Sequence, residues 1–103
     1  MDLLFLGTGT SHGIPVIGCD CAVCRSSDPR DRRYRTSVAV RLPEGPPTEG
    51  RVILIDVSPE FRLAACDFRL PRVDAILFTH AHADHIMGLD DVRRYNHLQG
   101  GRT

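Results

Sequence analysis

His80, His82, Asp84 and His85 lie within six positions of one another in the stretch FTHAHADHIMG. Neutral imidazole and carboxylate are good ligands for zinc, manganese or iron. An extended backbone turns residues i and i+2 to one side, so His80 and His82 can reach one ion together as a strand ends. Ala81 and Ala83 are small and leave room. The chain must then turn, which brings Asp84 and His85 round from another direction. Two ligand pairs facing different ways suit two ions roughly 3.5–4 Å apart, and water bound to such ions ionises near pH 7. A hydroxide held between them would be a nucleophile, with Asp84 a candidate to orient it as well as to ligate. Asp84 could instead steady a histidine from behind. No serine or cysteine nucleophile is needed.

GCDCAVC holds a second cluster, Cys19, Cys21 and Cys24. Thiolates this close can wrap one tetrahedral zinc, but a structural zinc wants four ligands. His12, Asp20 or a histidine later in the chain could supply the fourth. Three cysteines crowded together make a poor disulfide framework, so in a reducing compartment metal is the better reading. Cys66, beside Leu63, reads as a small buried hydrophobe.

The remaining polar stretches have plainer readings. GTGTSHG, residues 7–13, reads as a tight turn and lacks the order of a nucleotide-binding loop. His12 within it reads as solvent-facing. Asp56 ends a strand and is expected to support the metal loop more than to ligate. Asp90 and Asp91 suit a helix start, where carboxylates meet the dipole favourably. The run Arg30 to Arg35 could hold phosphate, but a solvated charge run paired with Asp28 and Asp31 is the better reading.

These groups need a scaffold. Leu3 to Leu6 reads as a buried strand, and residues 13–35 as an excursion held by something other than a core. Thr36 to Leu42 and Arg51 to Val57 read as a hairpin around a mobile turn, PEGPPTEG. Ser58 should cap a helix with Pro59 in its first turn, running to about Asp67. Val73 to Thr79 is a continuous apolar run, hence a central strand. Gly88 to about Leu98 reads as a further helix with Leu89, Val92 and Tyr95 on one face.

With its flanks, the histidine cluster carries a resemblance. FTHAHADHIMGLDD looks like the signature of the metallo-β-lactamase fold hydrolases, and LLFLGTGTSHGIP and ILIDVSPEF resemble their counterparts in that superfamily. The resemblance implies an α/β fold: the N-terminal half of an αββα sandwich, with a mixed sheet, helices on one face and metals at the sheet edge. It implies that His80 and His82 bind one ion and Asp84 and His85 another. The family also uses a further histidine, an aspartate and a last histidine from later in the chain. Residues 1–103 are therefore expected to be one partial domain, with the cysteine loop as an insertion at about 13–35, and to be inactive alone. GTGTSHGIPVIGCDCAVC and SSDPRDRRYRTS look like the branch containing the cyclic phosphodiesterases of phosphonate breakdown. There such cysteines hold a structural zinc. A pyrroloquinoline quinone biosynthesis protein has a similar cysteine pattern.

The expected function is hydrolysis of small cyclic phosphodiesters with two catalytic zinc ions (manganese or iron as alternatives) and one structural zinc. The alternatives are a ribonuclease Z-like endonuclease and a non-catalytic zinc-binding or quinone-biosynthesis accessory protein. Composition weighs among them. The 13 basic residues, all arginine, balance 13 acidic ones, which argues against a general grip on nucleic acid or anionic membrane. No apolar stretch approaches the roughly 20 residues of a membrane span, and the N-terminus has no basic signal region. The expected partner is a small phosphodiester, the expected compartment the cytoplasm; a homodimer is allowed but not required.

Overall fold

The computed structural model describes residues 1–101, in which four strands form one mixed sheet ordered β1-β2-β3-β4. β1 (Asp2–Gly7) pairs antiparallel with β2 (Ser37–Arg41), and β2 antiparallel with β3 (Val52–Ile55). β3 then pairs parallel with β4 (Ala75–Leu77). The hairpin between β2 and β3 is the one expected. Its connection is a hydrogen-bonded turn, closed by Leu42 N–H to the Arg51 carbonyl (2.8 Å) and the Thr48 hydroxyl to the Pro43 carbonyl (2.6 Å). The helices are α1 (Phe61–Asp67), α2 (Ala83–Ile86) and α3 (Arg93–Leu98), with 3-10 turns at Pro29–Asp31 and Leu89–Val92.

Strand register sorts the side chains. Leu4, Ala39, Leu54 and Ile76 lie opposite one another across the four strands, so they share a face. Leu6, Ala39 and Leu54 from that face join Phe61, Ala64 and Ala65 of α1 and Val92 and Tyr95 in one buried cluster. The Phe61 ring meets Tyr95 edge-on at 6.1 Å, and the Tyr95 hydroxyl donates to the Leu70 carbonyl (2.8 Å). Burial of Phe61 contributes about 2–3 kcal/mol. The helices thus cover one face of a mixed sheet, as expected.

The other face is open. Leu3, Phe5 and Leu77 are 58%, 58% and 57% exposed, around half-buried Val38, Val40, Ile53 and Ile55. The radius of gyration is 14.7 Å, above the ~13 Å of a compact chain this long. None of the described helices is long and apolar enough to cross a membrane.

Four local expectations are corrected. α1 begins at Phe61, and Ser58 offers its carbonyl to Phe61 N–H (3.0 Å) in place of a side-chain cap. Glu60, at the cap position, cannot serve because its carboxylate is taken by Arg35. The Val73–Thr79 run yields only the short β4, at the sheet's edge, because Asp74 and Thr79 turn to polar partners at either end. The helix expected from Gly88 is split between a 3-10 turn and α3, with Leu89 exposed. Cys66 is exposed. α1 buries Phe61, Ala64 and Ala65, positions i, i+3 and i+4, which turns position i+5 towards solvent.

Candidate metal centre

β1, β3 and β4 run in one direction, so their C-terminal ends meet at one edge of the sheet. Asp56 leaves β3 there, with a left-handed φ of 60°. Aspartate tolerates that conformation better than most side chains. It reverses the chain and buries the carboxylate, leaving the residue 2% exposed. Backbone bonds stitch this turn to the histidine loop: Asp56 N–H to the Leu77 carbonyl (2.9 Å), Val57 N–H to His85 (2.8 Å) and Gly88 N–H to Val57 (3.1 Å). Position 88 must be glycine for this approach, because a Cβ there would collide with the Ser58 carbonyl oxygen.

The buried carboxylate then organises the site. Asp56 Oδ1 accepts from Thr79 N–H (2.8 Å), and Oδ2 accepts from the Thr79 hydroxyl (2.6 Å) and from His85 Nδ1 (2.7 Å). Burial pushes the Asp56 carboxyl up, but the bonds from Thr79 and His85 outweigh it and hold the group below the usual aspartate range. An ionised carboxylate only accepts, so the Thr79 hydroxyl donates to it and is left to accept from His80 Nδ1 (2.8 Å). Asp56 therefore sets the tautomer of both histidines, directly for His85 and through Thr79 for His80. Each neutral ring is left with its Nε2 lone pair free.

His85 Nε2 faces Asp84 Oδ2 at 3.0 Å. An imidazole nitrogen and a carboxylate oxygen thus face one point, where either a proton or a divalent cation can sit between them. The donor set therefore fits a divalent metal. The His80 ring lies 4.1 Å from that of His85 and 4.5 Å from that of His82, between centroids. Asp56, His80 and His85 each offer a ligand atom within 4.8 Å of the others. Both Asp56 oxygens are already engaged, so its part is to hold the histidines from behind. His82 stands exposed at the start of α2, and half-buried Asp84 in its first turn. Both adjoin the tight set without belonging to it.

Cys19, Cys21 and Cys24 bring their sulfurs within 4.8 Å of one another. Their support is slight: Val16 N–H points at Cys24 Sγ and Cys24 N–H at Cys21 Sγ, each at 3.4 Å. The Cys24 N–H, with help from the neighbouring thiols, lowers the exposed Cys21 thiol to about 7, into the range where thiolate is available to metal. Neither His12 nor Asp20 joins the group among the described residues, and both are exposed.

The glycine loop is the tight turn expected, with Gly13 N–H bonded to the Thr10 carbonyl (2.9 Å). The arginine run is only partly a locally paired, solvated one. Arg30 pairs with Asp28 at 2.8 Å, but Arg33 donates to Thr8 (2.8 Å) and Arg35 pairs with Glu60, 25 residues away. Reasoning from sequence missed Thr79 and the Arg35–Glu60 pair. Thr79 had one available signal, its place beside His80; the pair had none.

Comparison with known proteins gives the wider setting. A beta-lactamase superfamily domain matches residues 51–102. The chain belongs to this superfamily, and its fold is the metallo-β-lactamase one. It is 52% identical to a diphosphatase from the PhnP family, with a TM-score of 0.84 over 96% of this chain and 38% of that one. Zn(2+)-bound PqqB from Methylobacterium extorquens is 28% identical, with a TM-score of 0.71 over 90% of this chain and 34% of that one. An octanoyltransferase of Porphyromonas gingivalis is 47% identical over 93 residues, 90% of this chain and 18% of that protein. The chain thus spans less than two fifths of each.

Proposed function

We propose that this chain carries part of the active site of a metal-dependent phosphoric diester hydrolase acting on small cyclic phosphodiesters. The observation that carries the reading is the Asp56-ordered pair of histidines, with His85 Nε2 3.0 Å from Asp84 Oδ2. The 52% identical PhnP-family diphosphatase supports a phosphorus-centred reaction, and the zinc of PqqB supports the metal type. The octanoyltransferase match covers under a fifth of that protein, so its name is a weaker guide. In this reading the uncovered sheet face with Leu3, Phe5 and Leu77 packs against a second sheet of a longer protein.

His80 and His82 would hold one ion, and Asp84 and His85 a second. Bound there, divalent ions supply a water of low pKa and neutralise charge on the phosphoryl oxygens. The chain's own residues do the rest. Asp56 and Thr79 fix the histidine tautomers, so that Nε2 of His80 and His85 faces the site without a proton. Asp84 orients the water for attack in line with the leaving oxygen. One phosphorus–oxygen bond would form as the ester bond breaks, and the proton lost by the attacking water would end on the leaving oxygen. Cys19, Cys21 and Cys24 hold a separate zinc that orders their loop.

The test uses the full-length protein with metals loaded. It should hydrolyse bis(p-nitrophenyl) phosphate, and His82→Ala should lower kcat at least a hundredfold. Absence of turnover with both ions bound would point to the accessory role instead, and cleavage of precursor tRNA to a nuclease.

A further inference from the structure

Arg35 belongs to a run that the site does not use, yet it stands at the edge where the site is built. Two residues on, Ser37 pairs with Gly7 at the end of β1 and donates its hydroxyl to the Asp56 carbonyl (2.8 Å). Gly9 bridges to Arg35, and Gly13 lies against the Arg35 stem. The backbone therefore leads the Arg35 side chain out beside the Asp56 turn, under the glycine loop.

Glu60 fixes its direction. Glu60 Oε1 accepts from Arg35 Nε (2.7 Å) and from Nη2, and Oε2 accepts from the Arg35 backbone N–H (3.2 Å). This sets the plane of the guanidinium and leaves Nη1 with no hydrogen bond among the described residues. The side chain remains 30% exposed. The bonds from Glu60 raise the Arg35 pKa above the usual arginine range against the effect of burial, and the charges of Glu60 and Asp84 add to the rise. Arg30 and Arg33 are taken up by Asp28 and Thr8.

We propose that Arg35, aligned by Glu60, is a substrate-binding residue whose free Nη1 edge receives a phosphoryl oxygen at the metal centre. This rests on the phosphodiester reading above. A guanidinium already oriented by one carboxylate loses little freedom when it binds a second oxyanion, and its planar fork suits phosphate.

Inorganic phosphate binding to the full-length, metal-loaded protein tests this, measured by titration calorimetry for wild type, Arg35→Lys and Arg35→Gln. Lysine keeps the charge and stem, so it protects the fold while removing the fork. Both variants should bind phosphate about tenfold more weakly at unchanged metal content, and KM for bis(p-nitrophenyl) phosphate should rise more than kcat falls. Wild-type phosphate affinity and KM in Arg35→Lys, whatever its Tm, would make Arg35 only a strut for α1 and overturn the proposal. If wild type turned over no diester, the hydrolase reading would fall, and the phosphate titration would still decide Arg35.

Discussion

The two donor clusters are built in opposite ways. The histidine cluster rests on strand ends. Behind it stands a carboxylate that is 2% exposed and takes three hydrogen bonds from Thr79 and His85. The cysteine cluster lies in a loop where Cys21 is exposed and the sulfurs receive two long N–H contacts of 3.4 Å. In the first, the fold has ordered the donors before any ion arrives. In the second, local backbone bonds such as Cys19 N–H to Val16 and Arg25 N–H to Cys21 (3.0 Å each) set the turns but hold no thiol, so an ion would supply most of the order at the sulfurs. The lesson is that proximity of ligand atoms, which both clusters share, says little about which site organises itself.

Asp56→Ala should break this comparison most severely. It leaves Thr79 N–H and the His85 ring without their buried acceptor, and places alanine at a left-handed φ. The expected loss is about 3 kcal/mol of unfolding free energy in urea without metal. In the metal-loaded protein, affinity at the histidine centre should fall 10–100-fold, while one zinc stays on the cysteines. Unchanged affinity at the histidine centre would mean that the ions orient His80 and His85 themselves.

How far each cluster could be read beforehand follows from chain separation. His80, His82, Asp84 and His85 are nearly contiguous, so a strand end and a turn suffice to gather them, and the same holds for the three cysteines. Asp56 announced itself only as a polar residue ending an apolar strand. Its bonds to Thr79 and His85 depend on β3 and β4 being parallel neighbours, a tertiary fact. The Arg35–Glu60 pair joins residues 25 apart through the glycine loop, and no local pattern encodes it. β2 was legible from its β-branched run, and β1 as a short apolar run before the glycine loop. The length of β4 was not, because Asp74 and Thr79 withdraw to partners that the sequence does not show. The Cys66 reading failed because burial on a seven-residue helix depends on which stripe faces the core.

Cys21→Ser sharpens the same contrast from the other side. Without metal the exposed thiol supports little, so Tm should match wild type. With zinc, the variant should bind one ion fewer and lose protection of amides 16–26 in hydrogen exchange, while amides 77–88 keep theirs. Chelation of the wild-type protein should reproduce that pattern. If the cysteine loop stayed protected after chelation, its order would come from the chain and the two clusters would not differ in kind.

The smallest expected effect comes from a control at the far end of the sheet. The fork from Arg72 (2.6 and 2.8 Å) holds the Asp74 carboxyl below the usual aspartate range; burial works against it, and Val52 N–H (2.8 Å) adds to the lowering. A carboxyl depressed by folding contributes stability that is complete above its unfolded pKa and fades as pH falls through the lower folded value. Wild type should therefore lose this increment from roughly pH 4 downwards. Asp74→Asn should have a lower Tm at neutral pH and a shallower acid decline, with metal content unchanged at both clusters. The residue sits at the start of β4, whereas the histidines follow its end. A loss of histidine-centre metal in this variant would show that the strand carries strain from one end to the other, and that the ordering credited to Asp56 is shared along the sheet.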